Sequence, residues 1–252
     1  MQEYWEIYMK NIDGYPSSVL FNAGISMDIE KFKYIYTQVA FIKVKLKEAN
    51  EKGLLSGDEK AKINYLEDKL EASLIKFRIG KYVGRVISNG YVTFIYYLQF
   101  TYNWQDFLNF ALKDFTDYEI TTGIRDDDEW NFYKNLLYPT TIEWQIIQNH
   151  KACEALELQN DNINRPRFLI HKCYFTEDIS RRDELIEKLS KEGFDYVEDI
   201  THEEGYIGFN FTRIDKPYYY EIDNITLYLI ELLSKYGATY DGWECDIIKD
   251  LD

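Results

Sequence analysis

Few residues in this chain could carry covalent chemistry. There are three histidines, His150, His171 and His202, and three cysteines, Cys153, Cys173 and Cys245. His171 and Cys173 stand two apart, so in an extended segment they share a face. Such a pair could serve as a base and a thiolate, or as half of a zinc site. A zinc site needs three or four ligands at recognisable spacing, and neither CxxC nor HExxH occurs. A half-buried strand accounts for both residues equally well. Asp126-Asp127-Asp128-Glu129 could meet a hard cation, but it lacks the alternating ligands and glycine of a calcium loop. Acids also gather where a helix begins. Gly80, Gly84 and Gly90 fit no phosphate-loop pattern. The expectation is a protein without catalytic residues, cofactor or metal.

What remains is recognition chemistry. Tyr240-Asp241-Gly242-Trp243-Glu244 follows an apolar-striped helix and a Gly237 stop. Two readings stay open for it. In one, Gly242 permits a bulge and Trp243 packs under the preceding helix. In the other, Tyr240, Asp241 and Trp243 are an exposed interface anchor. Acidic clusters at Glu177-Asp178, Glu203-Glu204 and Asp246 to Asp252 accompany it. The candidate partner-binding residues are therefore Tyr240, Asp241, Trp243, Glu244, Glu203, Glu204, Glu177 and Asp178.

Charge narrows the partner. The net charge is −15, and residues 151–252 hold 12 Lys+Arg against 23 Asp+Glu. Binding nucleic acid requires Lys and Arg to displace condensed counterions, so direct nucleic-acid binding is not expected. A basic protein segment suits the acidic half. No apolar run approaches the ~18 residues of a membrane helix. Met1 to Glu6 has no leader-like stretch, and three widely spaced cysteines form no disulfide framework. A cytoplasmic location is expected.

The elements that position these residues read as two α+β domains, residues 1–140 and 141–252. In the first, a strand over Tyr4–Met9 and another over Ser18–Gly24 form a leading hairpin. Lys33 to Leu46 alternates, with Tyr34, Tyr36, Ala40, Ile42 and Val44 on one face. Ile63, Leu66, Leu70, Leu74 and Phe77 mark an amphipathic helix that Ser56 or Asp58 could cap. Asn89-Gly90 between two β-rich runs predicts a type I′ hairpin. Most of the 23 tyrosines lie in such alternating runs. Ile142 to Leu158 reads as a helix, and Gln159 to Pro166 as the most linker-like stretch. Beyond it come a strand over Arg167–Phe175, a helix from Ser180 with Asp183 at its third position, and strands over Phe194–Ile200 and Tyr206–Arg213. A helix over Glu221–Tyr236 and a last strand from Tyr240 complete the chain. Each domain thus reads as an antiparallel sheet with helices on one face, in the ferredoxin-like β-α-β-β-α-β order.

The second domain resembles the regulator of ribonuclease activity B family, protein inhibitors of ribonuclease E. The resemblance rests on Arg165 to Phe175, on Glu192-Gly193-Phe194 and on Tyr240 to Glu244. The first domain is similar to a bacterial family of unknown function often fused ahead of such a regulator. Its marks are Glu3-Tyr4-Trp5, Gly80 to Arg85 and Trp130 to Pro139. The resemblance implies an acidic, non-enzymatic module that binds an endoribonuclease, with an Arg-rich segment as the partner. An immunity-type protein that neutralises a basic toxin or nuclease is the alternative that charge alone allows.

Overall fold

The strongest local signal, Asn89-Gly90, is a two-residue turn with φ of 48° and 78°, the positive pair a type I′ turn requires. It sits within a chain whose computed structural model describes residues 3–176, 178–202 and 204–249. The chain divides into two compact units, Met1–Thr140 and Thr141–Asp252. The first runs β1 (Trp5–Ile12), β2 (Tyr15–Asn22), a short helical segment ending in α1 (Ile29–Phe32) and β3 (Gln38–Lys45). It continues through α2 (Glu59–Phe77), β4 (Gly80–Ser88), β5 (Tyr91–Leu98), α3 (Trp104–Ala111) and β6 (Ile120–Asp126). The Asn89-Gly90 turn joins β4 to β5. Six strands pair antiparallel in the order β1-β2-β4-β5-β3-β6.

Both faces of the middle of this sheet are buried. On one, Ile63, Leu66 and Leu70 of α2 pack on Ile42, Val44 and Phe94. On the other, segment 127–138 lies over Ile95 and Tyr97. Trp130 stacks on Tyr97 at 3.8 Å and 8°, and its indole donates to the Tyr36 carbonyl at 2.9 Å. The acidic run starts this segment: Asp127 accepts the backbone N–H groups of Asn131 and Phe132, each at 2.8 Å.

Two local expectations are corrected here. The strand expected from Lys33 enters the sheet only at Gln38. Asn22 accepts the Gly24 N–H through its side chain and starts a helical stretch, a local bond that competes with a strand ladder. Tyr34 is left outside the sheet, 79% exposed. Neither Ser56 nor Asp58 caps α2 with its side chain: the Ser56 hydroxyl donates to the Glu48 carbonyl, and Asp58 makes no capping bond. The buried Glu59 carboxylate accepts the Lys47 and Glu48 N–H groups instead, at 2.8 and 2.7 Å.

The second unit begins with α4 (Thr141–Leu158) and then runs β7 (Arg167–Phe175), α5 (Arg182–Lys191), β8 (Asp195–Thr201), β9 (Ile207–Asp215), α6 (Tyr219–Ser234) and β10 (Ala238–Glu244). Its four strands are antiparallel in the order β10-β7-β9-β8. From β7 onward the elements run β-α-β-β-α-β. The same run spans β3 to β6 of the first unit, with the same neighbours: fourth strand beside first, first beside third, third beside second. The first unit adds the β1-β2 hairpin outside its second strand.

Helix α5 starts at Arg182, without a capping box. Ser180 cannot cap it, because its N–H and hydroxyl both donate to Asp178, at 2.8 and 2.7 Å, in a local Asx turn. The stretch 159–166 is no free linker. Arg167 forks onto Asp161 at 2.5 and 2.8 Å and also donates to the Asn162 and Asp246 carbonyls, at 2.6 and 2.8 Å. Asp161 in turn accepts the Ile248 N–H at 2.5 Å. Among the described residues no helix is long and apolar enough to cross a membrane.

Candidate partner-binding face

Strand β10 carries one extra residue. Tyr240 lies opposite Cys173 and Trp243 opposite His171, so three steps on β10 match two on β7. Gly242, at φ 100°, supplies the left-handed backbone this bulge needs. Residues three apart on a regular strand point to opposite faces. The bulge instead turns Tyr240 and Trp243 to the helix-covered face and Asp241 and Glu244 to the other.

On the helix side both aromatics are fastened. The Tyr240 hydroxyl lies 2.9 Å from Nδ1 of His171. The Trp243 indole donates to Oδ1 of Asn149 at 2.9 Å. Asn149, fully buried on α4, donates Nδ2 to Asp223 at 2.9 Å and to Thr226 at 2.7 Å on α6. Trp243 also packs beside Cys153, Leu169 and Ile222. Its ring thus ties the last strand to two helices. It is only half-buried, and with Tyr240, Asp241, Gly242, Gln145, Gln148 and Ala152 it lines an open cleft of about 420 Å³.

The His171–Cys173 pair faces the same core. His171 is 0% exposed, stacked on Phe211 at 5.5 Å, and burial, followed by the nearby Arg213 charge, pushes its pKa down to about 3. Burial pushes the Cys173 thiol up to about 12, and the Sγ hydrogen points to the Phe209 carbonyl at 3.7 Å. A nucleophilic cysteine requires a thiolate in a partly exposed, electropositive place. This pair is a packing group.

The opposite face of the sheet carries no helix of the unit. Helices α4, α5 and α6 lie on the side of Cys173, Phe209 and Phe211. By strand alternation the other face presents Phe168, Ile170, Lys172 and Tyr174 of β7 and Thr212 and Ile214 of β9. Phe168 is 60% and Ile214 56% exposed. Carboxylates stand on both outer strands: Asp241 and Glu244 on β10, Asp195 and Glu198 on β8. Glu244 accepts from Lys172 at 2.7 Å, and Glu198 accepts from Asn210 at 3.3 Å. Across the sheet, Ile170 and Thr212 lie between Glu244 and Asp195, Lys172 and Asn210 lie beside Glu198, and the apolar pair Phe168 and Ile214 adjoins them in the next row.

The eight residues expected at an interface therefore separate. Asp241 and Glu244 lie on this face, while Tyr240 and Trp243 look the other way. Asp178 is exposed in its Asx turn, and Glu204 is exposed in the β8–β9 turn, where its N–H donates to His202 at 3.1 Å. Glu177 and Glu203 lie outside the described residues. Asp195, Glu198, Phe168 and Ile214 also lie on this face. The alternation of Phe168, Ile170, Lys172 and Tyr174 along β7 was the signal that could have found it.

Comparison with known proteins agrees with this division of the chain. Residues 3–138 match the model described as Family of unknown function (DUF695). Residues 146–245, which hold α4, the sheet and the β10 bulge, match the model described as Regulator of ribonuclease activity B. No curated protein matches the chain.

Proposed function

Since the chain belongs to the family of unknown function DUF695 and carries a second unit of the regulator of ribonuclease activity B family, we propose that it is a non-enzymatic, cytoplasmic protein that binds and modulates an endoribonuclease. The second unit takes an Arg-rich, apolar-punctuated segment of that enzyme on the open sheet face. The observation that supports this reading is the apolar group of Phe168, Ile170 and Ile214 on that face, with Asp241 and Glu244 on one edge strand and Asp195 and Glu198 on the other. Apolar side chains of the segment would bury against that group. Its arginines would fork onto the carboxylates, where charge complementarity raises the association rate and excludes acidic competitors. The protein does not contact RNA directly, since that face offers Lys172 already paired with Glu244.

The test is a titration of the full-length protein against an Arg-rich ribonuclease segment over a salt series. Affinity is expected to fall steeply as the Debye length shortens from about 10 Å at 0.1 M to about 3 Å at 1 M. Affinity that is flat in salt, or that rises with it, rejects charge as the basis of recognition.

A further inference from the structure

The first unit has a cleft of its own. Trp5 of β1, Tyr82 of β4 and Glu71 of α2 together line two adjoining hollows, of about 200 Å³ and 470 Å³. One wall is aromatic: Trp5 lies 5.3 Å from Tyr82, and Tyr82 lies 5.3 Å from Tyr96, between ring centres. The other wall is mainly acidic; Lys81 also lines the smaller hollow, with its ammonium over the Phe32 and Tyr36 rings at 4.7 and 5.4 Å. Glu67 and Glu71 stand one turn apart on α2, on the same side of the helix. Glu67 is satisfied within the fold: it accepts the Tyr82 hydroxyl at 2.5 Å and a short ion pair from Arg85. Glu3 accepts the Trp5 indole N–H at 3.3 Å. Among the described residues Glu71 has no hydrogen-bond or ion-pair partner. Burial, then the charges of Glu67 and Glu3, holds its pKa up.

An aromatic wall facing an unanswered carboxylate is complementary to a cation. The nature of the cation follows from what surrounds it. Among the described residues no group of three His, Cys, Asp or Glu side chains could hold a metal ion, which points to an organic cation. A guanidinium fits better than an ammonium, because it can stack flat on Trp5 while forking onto a carboxylate. We propose that this cleft is a binding site for an alkylguanidinium group, with Trp5 as the stacking surface and Glu71 as the counter-charge. It lies wholly within the first unit and stands independently of the reading of the second.

The experiment follows the Trp5 indole N–H resonance of the full-length protein during titration with N-acetyl-arginine amide. N-acetyl-lysine amide and an Arg-containing peptide are run as separate arms. The expected result is a saturable shift with the arginine probe, weaker binding of the lysine probe, and about tenfold weaker arginine binding in Glu71→Gln. Glu71 sits at the partly desolvated rim of the cleft, outside the buried residues that α2 gives to the core, so this variant removes no core contact. Tighter binding of the peptide identifies an arginine on a protein as the source, and equal binding identifies a free guanidinium compound. An unshifted indole resonance, or unchanged affinity in Glu71→Gln, overturns the proposal.

Discussion

Burial sets the chemistry of His171. An unfolded histidine titrates near 6.5, and here burial, with the Arg213 charge behind it, pushes the ring down to about 3. Between those values the unfolded chain holds a proton that the folded ring refuses. The resulting stability is fully present above about pH 6.5 and is lost as pH falls toward 3. From pH 7 to pH 5 the native protein should lose about 2 kcal/mol more than His171→Gln, as read by urea denaturation at each pH. An equal loss in both would remove His171 from the account. Arg167 and Asp161 form a buried charge pair. Burial pushes Asp161 up, but the Arg167 and Ile248 hydrogen bonds outweigh it and hold its carboxyl below the usual range. Removing one partner leaves the other buried and uncompensated, so Arg167→Met should cost about 3–5 kcal/mol. The same measurement checks it, and a cost near zero would mean that the clamp contributes nothing net.

At the scale of elements, the last strand depends on α4. Asn149 links Trp243 to Asp223 and Thr226, so Asn149→Ala strips partners from three buried or half-buried groups. The expected loss is about 1–3 kcal/mol, with the Trp243 indole N–H resonance shifted as it loses its Asn149 acceptor; an unaltered resonance and stability would show that the ring is held by packing only. Most elements could be read from the sequence because their patterns are local. The Leu66, Leu70 and Leu74 spacing of α2 and the Asn89-Gly90 turn need no distant partner to be recognised. What escaped was set by bonds that composition does not show. Gln159 to Pro166 has linker composition, yet Arg167 and the 246–248 segment fasten it. Tyr34 belongs to an alternating run, yet the Lys33, Ile35 and Tyr36 N–H groups donate back to the Ile29 and Phe32 carbonyls and hold it in a helical turn. The candidate site was half legible for the same reason. Trp243 and Asp241 stand out by type, but only the bulge decides which of them faces the helices.

Over the whole molecule, two units share one β-α-β-β-α-β strand order and differ in charge. The second bears most of the acidic excess, 12 Lys+Arg against 24 Asp+Glu in residues 141–252, and displays part of it along both edges of an open sheet. The first is close to balanced, with 17 against 20 in residues 1–140, and has an aromatic–carboxylate cleft built from β1, β4 and α2. The central claim is that the edges of the second sheet, and not the Trp243 cleft, engage a basic ribonuclease segment. Charge reversal separates these surfaces most directly. The double variant Glu244→Lys, Glu198→Lys alters the open face and leaves the residues lining the cleft, and Gln148→Lys alters the cleft. Binding of the Arg-rich segment to the folded variants, measured at fixed low salt, should weaken at least tenfold in the first and stay within about twofold of the native protein in the second. Unchanged binding in the double variant, or its loss in Gln148→Lys alone, would contradict the account.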